Sequence, residues 1–427
     1  MPDEPTPKHE PRMAEDAKNL SIVGASAAVA GLLSLTLVGA ALTATPWGSE
    51  VRRVDVRVVE PASPSAPLVV VSHVSGAGRL YGTVRTRDGE VATGYIRWDR
   101  NEGSWADLLD ASKPRPRGNA SLSGIRFGHI QRMDVLSRDA ALLTLRSGER
   151  VEMSARATDL GDGLRALRIQ SPDGRTVELG WRDLDEIDFS EAPEGAPAEG
   201  RLYGTVTTQS GAPFTGYVTW DVDEIYTTDI LDGDDEEGVR REIAFGEIIS
   251  IERAGPDAAR VTLADGSVLL LDGTNDVDES IRGISVSDPG LGQVQLDWDG
   301  FRDVRFHGAD ADAVVAEFDG GAPIRGTVVV SDGQELSGEI VWDADEEYTW
   351  EMLNGEMDGV TYDIEFGRIE RIRKVRRGAE VTLLDGRAFV IGDSNDVDEG
   401  NRGILVKTAT GAHEFDWDDF VELRLTP

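Results

Sequence analysis

Clustered oxygen donors are the most direct chemistry that the 427-residue chain offers. Asn275-Asp276-Val277-Asp278-Glu279 and Asn395-Asp396-Val397-Asp398-Glu399 are near-identical acidic pentapeptides, and Asp272 and Asp393 add one carboxylate upstream of each. Donors of this kind suit Ca2+, whose flexible shell takes about six to eight oxygens. The same residues also suit a structural turn, because Asn and Asp cap their own backbone. In that reading Arg282 and Arg402, which follow the loops, can neutralise the carboxylates in place of a metal.

Other chemistries find little support. The chain has no cysteine, which excludes disulfides, thiol catalysis and thiolate metal sites. His9, His73, His129, His307 and His413 stand at no metal-binding spacing, and the chain lacks His-Glu-x-x-His, a phosphate-binding Gly-x-x-x-x-Gly-Lys and Gly-x-Ser-x-Gly. Gly161 to Ala166 spells a dinucleotide signature without the strand–helix–strand context that gives it meaning. With 79 acidic residues, close carboxylate pairs arise throughout, and none is marked as an acid–base couple. No catalytic residue is assigned. No cofactor is expected apart from Ca2+ at the two acidic loops.

Two further sets point to binding. An aromatic and apolar stripe follows each Trp-Asp pair: Trp105, Leu108 and Leu109; Tyr226, Ile230 and Leu231; Tyr348, Trp350, Met352 and Leu353. Such a stripe either anchors a partner or plugs one end of a small barrel. Arg368, Arg371, Arg373, Lys374, Arg376 and Arg377 crowd one segment, a positive strip that calls for an acidic neighbour. That neighbour is either a partner or the run Asp232, Asp234, Asp235, Glu236 and Glu237.

The elements carrying these residues recur. Leu80-Tyr81-Gly82-Thr83-Val84, Leu202-Tyr203-Gly204-Thr205-Val206 and Ile324-Arg325-Gly326-Thr327-Val328 open three copies of one module. Trp98-Asp99, Trp220-Asp221 and Trp342-Asp343 follow at constant spacing, then a Phe-Gly element at Phe127, Phe245 and Phe366. Trp181, Trp298 and Trp417 close the copies. Alternating segments such as Tyr217-Val218-Thr219-Trp220, separated by Gly turns, read as short half-buried strands. The first copy keeps only Asp159 and Asp162 of the acidic loop.

This strand pattern resembles the SH3-like or Sm-like small β-barrel modules repeated in some bacterial exported or membrane-anchored proteins. The resemblance implies binding and scaffolding, with function in the loops. The fold class expected is all-β: three tandem small β-barrel or sandwich-like modules after one N-terminal transmembrane helix. The modules span 68–189, 201–306 and 324–427, separated by linkers at 190–200 and 307–323.

Ahead of them lie a polar tail (1–19), an uncharged segment (20–44) and a linker (45–67). Leu20 to Ala44 is 25 residues, about 37 Å as a helix, enough to cross a bilayer. Cleavage as a signal peptide is the alternative, but Asp3, Glu4, Glu10, Glu15 and Asp16 make an unusual leader and favour a retained anchor. The expected location is the cytoplasmic membrane, single-pass, with the bulk of the chain periplasmic. A formal charge of −36 argues against nucleic acid and against anionic lipid as a partner of the globular part. The function expected is a non-enzymatic scaffold whose partners are proteins, a membrane complex or copies of itself. A Ca2+-dependent adhesion module and a carboxylate-based hydrolase of envelope glycans are the alternatives.

Overall fold

The computed structural model describes residues 78–113, 121–155, 159–196, 198–309 and 318–426. The tail, the 20–44 segment and the first linker lie outside the described residues, together with His9 and His73. No helix among the described residues is long and apolar enough to cross a membrane.

The described chain is all-β, ten strands to a repeat, with only short 3₁₀ turns between them. The first repeat comprises β1 (Tyr81–Thr86), β2 (Val91–Trp98), β3 (Leu108–Lys113), β4 (Ser121–Arg126), β5 (Ile130–Val135), β6 (Ala140–Leu145), β7 (Arg150–Ser154), β8 (Leu167–Gln170), β9 (Thr176–Leu179) and β10 (Leu184–Phe189). The second comprises β11 (Tyr203–Thr208), β12 (Pro213–Trp220), β13 (Ile230–Asp235), β14 (Arg240–Ala244), β15 (Ile248–Arg253), β16 (Ala258–Leu263), β17 (Val268–Asp272), β18 (Ile284–Asp288), β19 (Gly292–Leu296) and β20 (Phe301–Phe306). The third comprises β21 (Arg325–Val330), β22 (Glu335–Val341), β23 (Met352–Met357), β24 (Val360–Glu365), β25 (Ile369–Val375), β26 (Gly378–Leu383), β27 (Ala388–Ile391), β28 (Ile404–Thr408), β29 (Gly411–Phe415) and β30 (Phe420–Leu425).

Three antiparallel sheets result. The first runs β4-β3-β7-β6-β5-β10-β1-β2-β8-β9, and the second follows the same order with every number raised by ten. The third keeps β27-β26-β25-β30-β21-β22-β28-β29, while its β24 and β23 extend the second sheet beyond β19. The junction is a regular ladder from Gly292↔Ile364 to Leu296↔Val360. A bridge at Glu356↔Gly392 ties β23 back to its own repeat.

Local sequence explains the shared pattern. Thr83 faces Thr93 and Thr205 faces Thr215, and their hydroxyls pair across the strands at 2.9 and 2.8 Å. Glycine at 94, 216 and 338 lets the second strand of each repeat lie close against the eighth. A Cβ there would strike the carbonyls of Gln170, Ser287 and Lys407.

Alternation places Trp98, Trp220 and Trp342 fully inside. Trp181, Trp298 and Trp417 are also buried, but they stand in the turn ahead of the last strand rather than within it. The six indoles are core residues, as their recurrence predicts. The second and third repeats share one continuous apolar core, while the first has its own, into which Trp350 of the third repeat inserts. The linkers predict separable modules; strand pairing and shared core join them instead.

Candidate functional site

The turn after the second strand of each repeat collects the most buried charge. Trp98, Trp220 and Trp342 bridge back to Glu102, Glu224 and Glu346, closing a loop of three residues. Two successive residues in each loop lie in the left-handed region: Asp99 and Arg100 (φ 39 and 77), Asp221 and Val222 (44 and 59), Asp343 and Ala344 (44 and 62). Aspartate tolerates that conformation better than most side chains. It carries the first carboxylate inward, where Asp99, Asp221 and Asp343 are fully buried.

An arginine from the far side of the repeat answers each of them. Asp221 accepts the backbone N–H of Arg282 at 2.6 Å and its Nε–H at 2.9 Å. Asp343 accepts the N–H and Nε–H of Arg402, the latter at 2.9 Å, and Asp99 accepts those of Arg165, with Nε at 3.0 Å. The same guanidiniums reach Asp223 and Asp345, each at 2.5 Å, and Asn101 at 2.6 Å. Arg282 and Arg402 do neutralise carboxylates, but those of the Trp-Asp turn rather than those of their own loop.

The acidic loops lie alongside. The carbonyl oxygens of Asp276 and Asp396 accept the indole N–H of Trp220 and Trp342 at 2.9 Å. Their carboxylates accept the backbone N–H of Asp232 and Asn354 at 2.7 Å. Asp159 does both for Trp98 and Asp110 in the first repeat. Asn275 and Asn395 donate to Asp221 and Asp343.

Asp278 and Asp398 cap the amides of Ser280 and Gly400, while Asp272, Glu279, Asp393 and Glu399 are exposed. Of the ten residues expected to gather round Ca2+, only Asn275, Asp276, Asn395 and Asp396 reach the buried cluster, and there they tie strands together.

The carboxylates that do converge belong to the Trp-Asp turns. One oxygen from each of Asp221, Asp223 and Glu224 lies within 4.8 Å of the others, and Asp343, Asp345 and Glu346 form the matching group. Sequence reasoning passed over them, although Trp-Asp-Val-Asp-Glu and Trp-Asp-Ala-Asp-Glu repeat in plain view and Trp-Asp-Arg-Asn-Glu is the first-repeat version.

Burial raises the glutamates of these turns and the neighbouring loop aspartate Asp396. It pushes Glu224 up to about 9, reinforced by Asp223 and Asp276, and Asp396 up to about 7. Glu346 and Glu102 are raised well above the ordinary carboxylate range for the same reason. Glu102, Glu224 and Glu346 each keep a buried Oε2 without a hydrogen-bond partner among the described residues.

Of the expected partner-binding aromatics, Tyr226, Tyr348 and Trp350 sit at the joints between repeats. Tyr226 is held between Arg79, 4.3 Å above its ring, and Arg97 at 4.9 Å. Arg79 also donates to the Tyr226 hydroxyl at 2.8 Å. Trp350 is fully buried, stacked on Tyr348 with centroids 6.1 Å apart, and Lys113 of the first repeat lies 5.9 Å from both rings. Trp105 is half-buried beside Phe189 and under Arg146, and Met352 is buried on β23.

At each joint an acidic residue caps its own turn and pairs with a cation from another repeat. Asp107 meets Arg201 at 3.2 Å, Asp229 meets Arg97 at 3.1 Å, and Glu351 meets Lys113.

The positive strip finds its acidic neighbour on the next strand. Arg371 and Arg373 lie 3.7 and 2.8 Å from Glu380, and Lys374 donates to the Trp417 carbonyl at 2.6 Å. Arg376 and Arg377 are exposed at the turn before β26. Asp234 and Asp235 pair instead with Arg240 and Arg241. Fold and turns together define an all-β protein whose buried charge is concentrated in repeated Trp-Asp turns and at the joints between repeats. No protein-family model, curated protein or solved structure matches the chain.

Proposed function

We propose that this chain is a non-catalytic scaffold, built of three diverged copies of a small barrel-like β module. It is anchored in the cytoplasmic membrane by Leu20 to Ala44, with its modules on the outer side. The observation that carries the scaffold reading is the fate of the ninth strand in each repeat. Among the described residues, β19 of the second repeat takes β24 as a neighbour across the repeat boundary, whereas β9 ends the first sheet and β29 ends the third, the latter with Gly411 to Glu414 exposed. An edge of that kind presents unpaired N–H and C=O groups to a strand from a partner. The joints support the same reading, since their aromatic and charged residues serve assembly of the chain itself.

Purification from native membranes in mild detergent, with cross-linking before solubilisation, tests the proposal. A discrete complex cross-linked through β29, and retention in the membrane after a carbonate wash, are expected. A chain that behaves as a lone monomer, or one recovered soluble with an N-terminus near Thr45, would overturn the scaffold or the anchor respectively.

A further inference from the structure

We propose that the Trp-Asp turn of the third repeat holds a hard divalent cation of Ca2+ size between Asp343, Asp345 and Glu346. The donor set is oxygen only, which selects Ca2+ or Mg2+ over softer metals. The spacing fits: two oxygens each about 2.4 Å from one Ca2+ can be at most about 4.8 Å apart, and one oxygen from each of the three residues meets that limit.

Acidic clusters are common on so negative a chain, and the cluster alone would say little. Glu346 supplies an independent reason. It is 8% exposed, and its buried Oε2 has no hydrogen-bond partner among the described residues. A buried oxygen in that state is costly unless something pairs with it. A proton would turn the oxygen into a donor but would remove only one of the clustered negative charges. A water would pair the oxygen but would leave the charge, because Asp343, Asp345, Glu346 and Asp396 outnumber the cations beside them: the Arg402 guanidinium and the Lys113 ammonium, which donates to the Asp345 carbonyl at 2.8 Å and is paired with Glu351. A divalent cation answers both.

Enclosure favours Ca2+ over Mg2+. Asp343 and Asp345 are 0% and 5% exposed. Mg2+ keeps several waters and demands octahedral geometry, whereas Ca2+ accepts an irregular protein shell. Arg402 holds Asp343 and Asp345 from the side of β28 and fixes their orientation, as a supporting residue does around a metal.

The other repeats form a built-in series. The second repeats the donor set with Asp221, Asp223 and Glu224, where Asp223 and Glu224 border a cleft of about 430 Å3 and are less enclosed. The first carries Asn101 in place of Asp345, and Arg165 donates to its side-chain oxygen at 2.6 Å. The third turn is therefore the tightest site and the first is no site.

Calorimetric titration of the full-length, chelator-stripped chain with Ca2+ tests this. Saturable binding is expected, with the tightest site weakened about tenfold or more by Glu346→Gln and by Asp345→Asn. Asp345→Asn places in the third repeat the side chain that the first repeat already folds around, so loss of binding there cannot be put down to misfolding. Glu279→Gln, on the exposed loop, leaves binding unchanged. Absence of binding at millimolar Ca2+, wild-type affinity in both variants, or tighter binding of Mg2+ than of Ca2+ would each overturn the assignment.

Discussion

Arg126 on the first repeat and Glu365 on the third, 239 residues apart, form an ion pair with both side chains almost wholly out of solvent. His129 Nε2 lies 3.4 Å from the same Glu365 oxygen, and the ring of Phe318, on the second linker, sits under Arg126 at 5.1 Å. Gly320 on that linker donates to His129 Nδ1 at 3.2 Å and accepts from Ser147 at 3.1 Å. Together these contacts lock first repeat, linker and third repeat at one point. Removing one member of a buried pair strands the other, at a cost of about 3–5 kcal/mol. Glu365→Ala is therefore expected to lose about that much in chemical denaturation. The double variant Arg126→Met, Glu365→Leu should recover much of it. A single variant as stable as wild type would show that the pair contributes nothing.

The same carboxylate predicts an acid-side pH dependence. Burial alone would raise Glu365, but Arg126, with His129 and Arg368 nearby, more than offsets that and holds it below the usual range. A group depressed in the folded state takes up its proton first in the unfolded chain. Its contribution is therefore complete above the ordinary value of 4.5 and is lost as pH falls below it. Denaturation midpoints measured from neutral pH downward should fall below that point. Glu365→Gln, stable enough to measure, should show a shallower fall. Equal slopes would exclude Glu365 as the source.

Trp220 was legible in the sequence because three diverged copies keep it, and packing explains such retention. Truncating a large buried aromatic costs about 3–5 kcal/mol, and Trp220→Ala is expected to lie in that range. The damage should extend beyond the second repeat, since its core continues into Trp342, Ile364 and Phe366 of the third. Hydrogen exchange on the full chain should show the second and third repeats losing protection together and the first holding longer. Loss confined to the second repeat would mean that the β19–β24 ladder carries little coupling.

That ladder was not legible. Val360 to Glu365 alternates like any half-buried strand, and nothing in six residues says whose edge it joins; the choice is made by the long-range geometry that leaves β19 within reach. The carboxylate cluster was hidden for a different reason. Asp223 and Glu224 look like two of 79 acidic residues until the left-handed turn at Asp221 and Val222 gathers them beside the buried Asp221. The Asn-Asp-Val-Asp-Glu loops stood out by composition, yet at Asp276 and Asp396 the carbonyl that receives an indole matters as much as the carboxylate. The aromatic stripes carried the same ambiguity: Tyr226 and Trp350 are anchors, but for neighbouring repeats of the same chain.

The exposed edge of β29 gives the last prediction. The β28–β29 hairpin closes on the pair Thr408↔Gly411, a hydrogen-bonded position for a two-residue turn. Pairing alternates along an antiparallel ladder, so the amides of Ala412 and Glu414 point away from β28 toward the open side. Proline at 414 would remove an outward donor while leaving the inner ladder intact, the one placement an edge strand tolerates. Glu414→Pro is therefore expected to change stability little and to abolish cross-links between β29 and its partner. Proline at His413, whose amide faces β28, should destabilise the third sheet instead. If Glu414→Pro keeps the cross-linked complex while His413→Pro unfolds the sheet, the register is right but β29 is not the docking edge.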